Sequence, residues 1–156
     1  MAAIAPEIQL VPESALARNV LVAFDSTAGS RQALAYAAAV AKTSHGRLTI
    51  MTVVPPAPLA QPGVMAIYDP REVEATMAAA LRRAADTIPP DVSVTTLVEH
   101  GRPAEQILRR VKEGNHDLVV LGCEGHGLFK GAMAGVCQRV LRHCQAPVLV
   151  IHAAAE

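Results

Sequence analysis

Apolar residues cluster in short runs along this chain. VLVAF at 20–24, LVVL at 118–121 and VLVI at 148–151 are unbroken, and LTIMTVV at 48–54 is interrupted only by threonine. Runs of this length, closed by turn residues, are the pattern of strands covered on both faces of a sheet. VSVTTLV at 92–98 alternates instead, which predicts a strand with a more exposed face, near the sheet edge. Between the runs the period becomes helical. Ala33/Leu34, Ala37/Ala38 and Ala41 line the first helix, and Val73, Met77, Ala80/Leu81, Ala84 and Ile88 the second. Ala104, Ile107/Leu108 and Val111 line the third, and Val136/Cys137, Val140/Leu141 and Cys144 the fourth.

Turn and cap residues agree with these elements. Asn19 to Asp25 bounds the first strand. Ser30 is the expected N-cap of the first helix, and Gly46 takes the C′ position after it. Pro55-Pro56 end the second strand, because proline cannot donate to a ladder. Residues 55–69 are the longest irregular stretch, either mobile or a lid. Pro70 and Pro103 suit first helical positions, while Pro89-Pro90 and Pro147 stop helices. Residues 1–18, with Pro6 and Pro12 and no periodicity, are expected to form an N-terminal tail or arm. Residues 19–156 then form a single domain. Strands alternating with helices predict an α/β fold: an open parallel five-stranded sheet with right-handed crossovers and helices on both faces. Ligands of such sheets sit beyond the carboxyl ends of the strands, where strand order reverses. Asp25, Val53/Val54 and the stretch after Leu121 meet there.

Composition narrows the classes. Lys plus Arg equals Asp plus Glu, 14 each, so no basic field exists to hold nucleic acid. With aromatic residues at 3%, stacking on bases is not the main mode of recognition. No apolar run approaches a membrane span, and MAAIAPEIQLVPES lacks the features of a signal peptide, so a cytoplasmic site is expected. Cys123, Cys137 and Cys144 have no disulfide-framework spacing and are expected as reduced thiols.

The candidate chemistry lies in residues 117–150. Gly122, Gly125, Gly127, Gly131 and Gly135 fall between a strand and a helix. Such a loop brings bare backbone N–H groups to a helix N-terminus, where phosphate binds. Permission of tight turns is the plainer alternative. The stretch is not a Walker loop, since no Gly-Lys-Ser/Thr follows the glycines. Nor does it have the spacing or place of the dinucleotide fingerprint. Cys123 and His126 form a Cys-x2-His pair, but zinc needs two further ligands, and no metal site is expected.

With these elements placed, the chain resembles the universal stress protein family. VLVAFD with Ser30-Arg31-Gln32-Ala33-Leu34, GRPAEQILRRV at 101–111 and residues 117–151 carry the resemblance. It implies strand order 3-2-1-4-5, the adenine nucleotide alpha hydrolase-like architecture, and a dimer through the last strand. It also implies ATP, with or without magnesium, bound through Gly-x2-Gly-x9-Gly-Ser/Thr. Gly122, Gly125 and Gly135 keep the glycines, while Val136 stands where the hydroxyl belongs. A hydrogen bond to a charged group is worth roughly 1.5–3 kcal/mol. Its loss weakens binding by about one to two powers of ten. On this reading Gly122, Cys123, Gly125, His126, Gly127 and Gly135 supply the phosphate loop, with Val136 beside them. Ala23, Asp25 and Val53 frame base and ribose.

Asp25 has a plainer role available, capping the loop that follows it. Arg102 and Lys130 are either phosphate-side cations or solvated surface charges. No nucleophile–base–orienter set is visible, so catalysis beyond slow ATP hydrolysis is not expected. The expected function is a stress-response sensor or regulator that binds ATP or a related adenine nucleotide. The alternative is an interaction module of the same fold without nucleotide. The apolar last strand, 148–151, is expected to pair with a second copy. Otherwise the arm, through Ile8, Leu10 and Val11, covers that edge in a monomer.

Overall fold

The apolar runs at 20–24, 48–54 and 118–121 form the middle of the sheet, and the run at 148–151 lies at one edge. The computed structural model describes residues 8–13, 16–57, 69–123 and 132–153. In chain order the elements are β1 (Asn19–Ala23), α1 (Ala28–Thr43), β2 (Arg47–Val54), α2 (Pro70–Asp86), β3 (Ser93–His100), α3 (Pro103–Glu113), β4 (Leu118–Cys123), α4 (Ala132–His143) and β5 (Val148–His152). The strands form one parallel sheet in the order β3-β2-β1-β4-β5. Val20 pairs in register with Leu48 on one side and Leu118 on the other. The alternating run is the edge strand β3, as its pattern predicts.

Period-two alternation divides the core into two layers. Val20, Val22, Leu48, Ile50 and Val120 face α1 and α2, where they meet Ala33, Ala37, Ala41, Leu81 and Ala84. Leu21, Met51, Val119, Leu121 and Cys123 face α3 and α4, and meet Ile107, Val111, Val136, Cys137 and Val140. Each large side chain fully buried in these layers contributes about 1.5–3 kcal/mol. The alanines of α1 leave little bulk between that helix and β1 or β4.

Several boundaries differ from the sequence reading. β1 ends at Ala23, two residues before Asp25. Thr27, not Ser30, is the N-cap of α1, and its hydroxyl accepts from the Ser30 N–H at 3.2 Å. His45, not Gly46, takes the left-handed C′ conformation, with φ 52°. The Gly46 N–H then reaches back to the Ala41 carbonyl at 2.8 Å, the long bond of a Schellman ending. Gly46 is required for another reason: a Cβ there would lie 2.4 Å from the Arg18 carbonyl oxygen. Leu141 lies outside the core, at 53% exposure. Ile8, Leu10 and Val11 are 86%, 88% and 65% exposed, so these arm residues cover neither β5 nor any other surface. Residues 58–68 of the long irregular stretch lie outside the described residues.

At the amino ends of the strands Asp117 fastens β1 to β4. Its carboxylate accepts from the Arg18 and Asn19 N–H groups, each at 2.9 Å. His116 is buried beside it, its Nδ1 3.3 Å from the Asn19 carbonyl oxygen. Burial lowers the pKa of His116 from the ordinary 6.5, so the ring is held neutral.

Candidate functional site

β1 and β4 are adjacent, but their chains continue in opposite directions across the sheet, β1 toward β2 and β4 toward β5. Their carboxyl ends therefore mark the switch point at which ligands of such sheets collect. The turn leaving β1 supplies one wall. Ser26 takes φ 68°, which folds the chain sharply into α1. Asp25 Oδ1 accepts from both the Thr27 N–H, at 3.1 Å, and the Thr27 hydroxyl, at 2.6 Å. The Asp25 N–H donates to Ser30 Oγ at 3.3 Å. Asp25 thus performs the loop-capping role recognised in the sequence, through one carboxylate oxygen. Behind it, the buried Thr52 hydroxyl donates to the Phe24 carbonyl at 2.8 Å and ties this exit to β2.

The end of β4 supplies the opposite wall. Gly122 faces α1, and a Cβ there would come within 2.2 Å of the Gly29 carbonyl carbon and 2.5 Å of the Ser30 nitrogen. The glycine is needed so that the first turn of α1 can rest directly on the strand. That is a packing requirement, which the sequence reading had merged with the phosphate pattern. Cys123 faces the opposite layer, where its Sγ lies 2.7 Å from Cys137 Sγ of α4. The Cys137 thiol is pushed up to about 12, first by burial, then by the hydrogen bond with Cys123 and its charge, and last by the charge of Asp25.

The remaining candidates divide. Ala23 is buried and Val53 half-buried, and both pack on the α3–α4 side. Gly135 lies inside α4, exposed, with nothing within 4 Å of an added Cβ. Val136 is 7% exposed and belongs to the α3–α4 core, so the hydroxyl place is filled by a packing side chain. Gly125, His126, Gly127, Lys130 and Gly131 lie outside the described residues. Arg102 is engaged with Glu105 at 3.5 Å. The sequence reading missed Thr27 and Cys137. Thr27 was signalled by a hydroxyl residue immediately before the first helical turn, and Cys137 by its place on the apolar stripe of α4.

A cavity of about 880 Å³ lies between α1 and α2 and reaches Phe24 and Ser26 at the exit of β1. Its lining combines the alanine side of α1 and the apolar side of α2 with Ser26, Arg31, Lys42 and Arg83. The switch point is favoured as the site, because Asp25, the Thr27 turn and the end of β4 converge there. Among the described residues no three His, Cys, Asp or Glu side chains group as metal ligands. No described helix is long and apolar enough to cross a membrane.

A five-stranded parallel sheet in this order, with helices packed on both faces, defines a doubly wound α/β domain. The model of the universal stress protein family matches residues 17–152, and the chain belongs to that family. A universal stress protein of Thermus aquaticus, encoded in the QAH/OAS sulfhydrylase 3′ region, is 29% identical over 140 residues, covering 86% of this chain and 98% of the relative. The structure of a universal stress protein family member from Burkholderia pseudomallei is 25% identical with a TM-score of 0.68, covering 88% of this chain and 97% of that one. A universal stress protein solved in complex with cAMP is also 25% identical, with a TM-score of 0.67 and coverage of 88% and 99%.

Proposed function

We propose that this protein binds an adenine nucleotide, ATP or a relative of it, over the carboxyl ends of β1 and β4, and acts as a ligand-responsive regulator in the stress response of a cytoplasm. The observation that carries the reading is the convergence of three things at the switch point. These are the Asp25–Thr27 turn, the end of β4 at Gly122–Cys123, and the entry to α4 across a glycine-spaced segment. The first turn of α4, beginning at Ala132, offers backbone N–H groups without helical acceptors, suited to phosphate. Ala23 and Val53 line the approach on the adenine side, and Asp25 keeps one carboxylate oxygen outside its capping bonds for ribose or magnesium. The cAMP complex of a relative supports an adenine nucleotide as ligand class.

The second reading, an interaction module without nucleotide, is favoured by one observation: Val136 is a core residue and offers phosphate no hydroxyl. Isothermal titration of the full chain with Mg-ATP, ADP, AMP and cAMP separates the two. Saturable heat with any of them supports the nucleotide site. No heat and no thermal shift at millimolar ligand refutes it and leaves the interaction module. Asp25→Ala should weaken that binding.

The exposed side of β5 completes the proposal. Val148 to Ile151 turn their side chains into both core layers, while one row of the strand's backbone groups faces away from β4. A second copy, antiparallel across a two-fold axis, would satisfy that row.

A further inference from the structure

Two buried thiols meet at the base of the glycine segment. Cys123 ends β4 and Cys137 lies in the second turn of α4, and they are 6% and 4% exposed. Their sulfurs are 2.7 Å apart. A disulfide bond is about 2.05 Å long, so the pair needs to close by less than about 1 Å. The contact follows from the fold. Strand alternation turns Cys123 toward α4 together with Val119 and Leu121, and helical periodicity puts Cys137 on the same stripe as Val140. Cys144, just past the end of α4, borders a separate cavity at the opposite end of the sheet.

We propose that Cys123 and Cys137 are a redox modification site: a hydroperoxide converts them to a reversible intramolecular disulfide that joins the end of β4 to α4. Burial disfavours the thiolate of Cys137, which assigns the first attack to Cys123. Its sulfur takes the distal oxygen of the hydroperoxide, the O–O bond breaks, and the alkoxide (hydroxide, for hydrogen peroxide) leaves and takes up a proton. Cys123 is then a sulfenic acid. Cys137 sulfur attacks Cys123 sulfur, the S–O bond breaks, the Cys137 proton goes to the departing hydroxide, and water leaves. Two thiols have lost two electrons and two hydrogens, and the hydroperoxide has become alcohol and water. Burial admits a small peroxide more readily than a bulky disulfide. In a reducing compartment such a bond is transient, as suits a sensor.

The bond would tether both ends of residues 124–131 and alter nucleotide affinity, a consequence that rests on the nucleotide reading while the disulfide itself does not. The test treats the full chain with hydrogen peroxide, blocks remaining thiols with N-ethylmaleimide and measures intact and peptide masses. The chain has 3 cysteines, so one blockable thiol should remain, at Cys144, with the 123 and 137 peptides joined and all three thiols restored by dithiothreitol. Cys144→Ser should form the same bond and leave no thiol. Free thiols at 123 and 137 after treatment, oxidation to sulfinic acid without a joined peptide, or disulfides only between chains would overturn the proposal, on wild-type protein alone. Titrating nucleotide into reduced and oxidised protein separates the two ideas. A joined peptide with no nucleotide binding in either state removes the nucleotide reading and keeps the redox site. Binding in the reduced state with no joined peptide does the reverse.

Discussion

Gly122 and Gly135 belong to one sequence pattern, yet the structure assigns them opposite responses to the same substitution. In Gly122→Ala the new methyl would lie 2.2 to 2.5 Å from the backbone of Gly29 and Ser30. These are main-chain atoms of the first turn of α1, so no side chain can rotate aside. The helix must lift from β4, along a contact that also carries the Thr27 cap and the Asp25 turn. Overpacking of a close-packed core costs about 1–3 kcal/mol, and a backbone obstacle puts this case at or beyond the upper end. For a chain of this size about 1 kcal/mol corresponds to roughly 2–4 °C in Tm. Gly122→Ala should therefore lower Tm by about 6–12 °C. Gly135→Ala adds its methyl to open space inside a helix and removes backbone freedom from the unfolded chain. It should gain about 0.5–1 kcal/mol. Urea denaturation with thermal melts, without nucleotide, reads both. Equal stability of Gly122→Ala and wild type, or a larger loss from Gly135→Ala, would refute the packing argument.

Three further predictions concern the cap, the buried histidine and the edge strand. Thr27→Ala removes the hydroxyl that accepts from Ser30 and should cost about 1 kcal/mol in urea, with Thr27→Ser restoring most of it. Burial depresses the folded-state pKa of His116 below 6.5, so the unfolded chain binds the proton more readily. Stability from this group is complete above pH 6.5 and falls as pH drops from there through the folded-state value, and His116→Gln should flatten that part of the profile. Light scattering at tens of micromolar should give twice the 16.4 kDa chain mass. Val150 packs on the α3–α4 core, so a lysine there would confuse dimer loss with unfolding. Val150→Pro tests the edge better. Ala153 donates its N–H to β4, and by the same alternation the N–H of Val150 points away from it. The variant should be a folded monomer, and a wild-type monomer would end the dimer proposal.

The sheet was legible because its signal is periodic and repeated. Unbroken runs marked the covered strands, alternation marked the edge strand β3, and prolines at 70 and 103 marked helix starts. Local choices were harder where two residues offered the same chemistry. Thr27 and Ser30 both carry hydroxyls, and the choice turns on Asp25, whose carboxylate fixes Thr27. His45 and Gly46 both suit a helix end, and the nearness of the Arg18 backbone decides it. Gly122 looked like a loop glycine because its spacing to Gly125 and Gly135 matched a binding pattern. Its partner is Gly29, 93 positions away in sequence (122 − 29), and only the packing of α1 over β4 reveals it. The cysteine contact was hidden likewise, since cysteine spacing alone carries no information about facing layers.

Alternation along β4 explains why one short segment answers to two different layers. Gly122 turns toward α1 and Cys123 toward α4, so adjacent residues fix the two helices that border the switch point. On the α1 side the constraint is steric: a backbone-to-backbone contact with no room for a methyl, held by the Asp25–Thr27–Ser30 bonds. On the α4 side it is chemical: two thiols in contact, one of them kept protonated by burial. With a backbone contact on one side and alterable thiols on the other, a change at the sulfurs should act first on α4, which carries Cys137. The β1 exit, tied by Thr52 to Phe24 and by Asp25 to Thr27, would stay in place. Under the nucleotide proposal, effects of oxidation should then fall on the groups assigned to phosphate and spare those assigned to adenine and ribose. The asymmetry follows from strand periodicity, and the redox proposal would make the α4 side the place where a signal enters this fold.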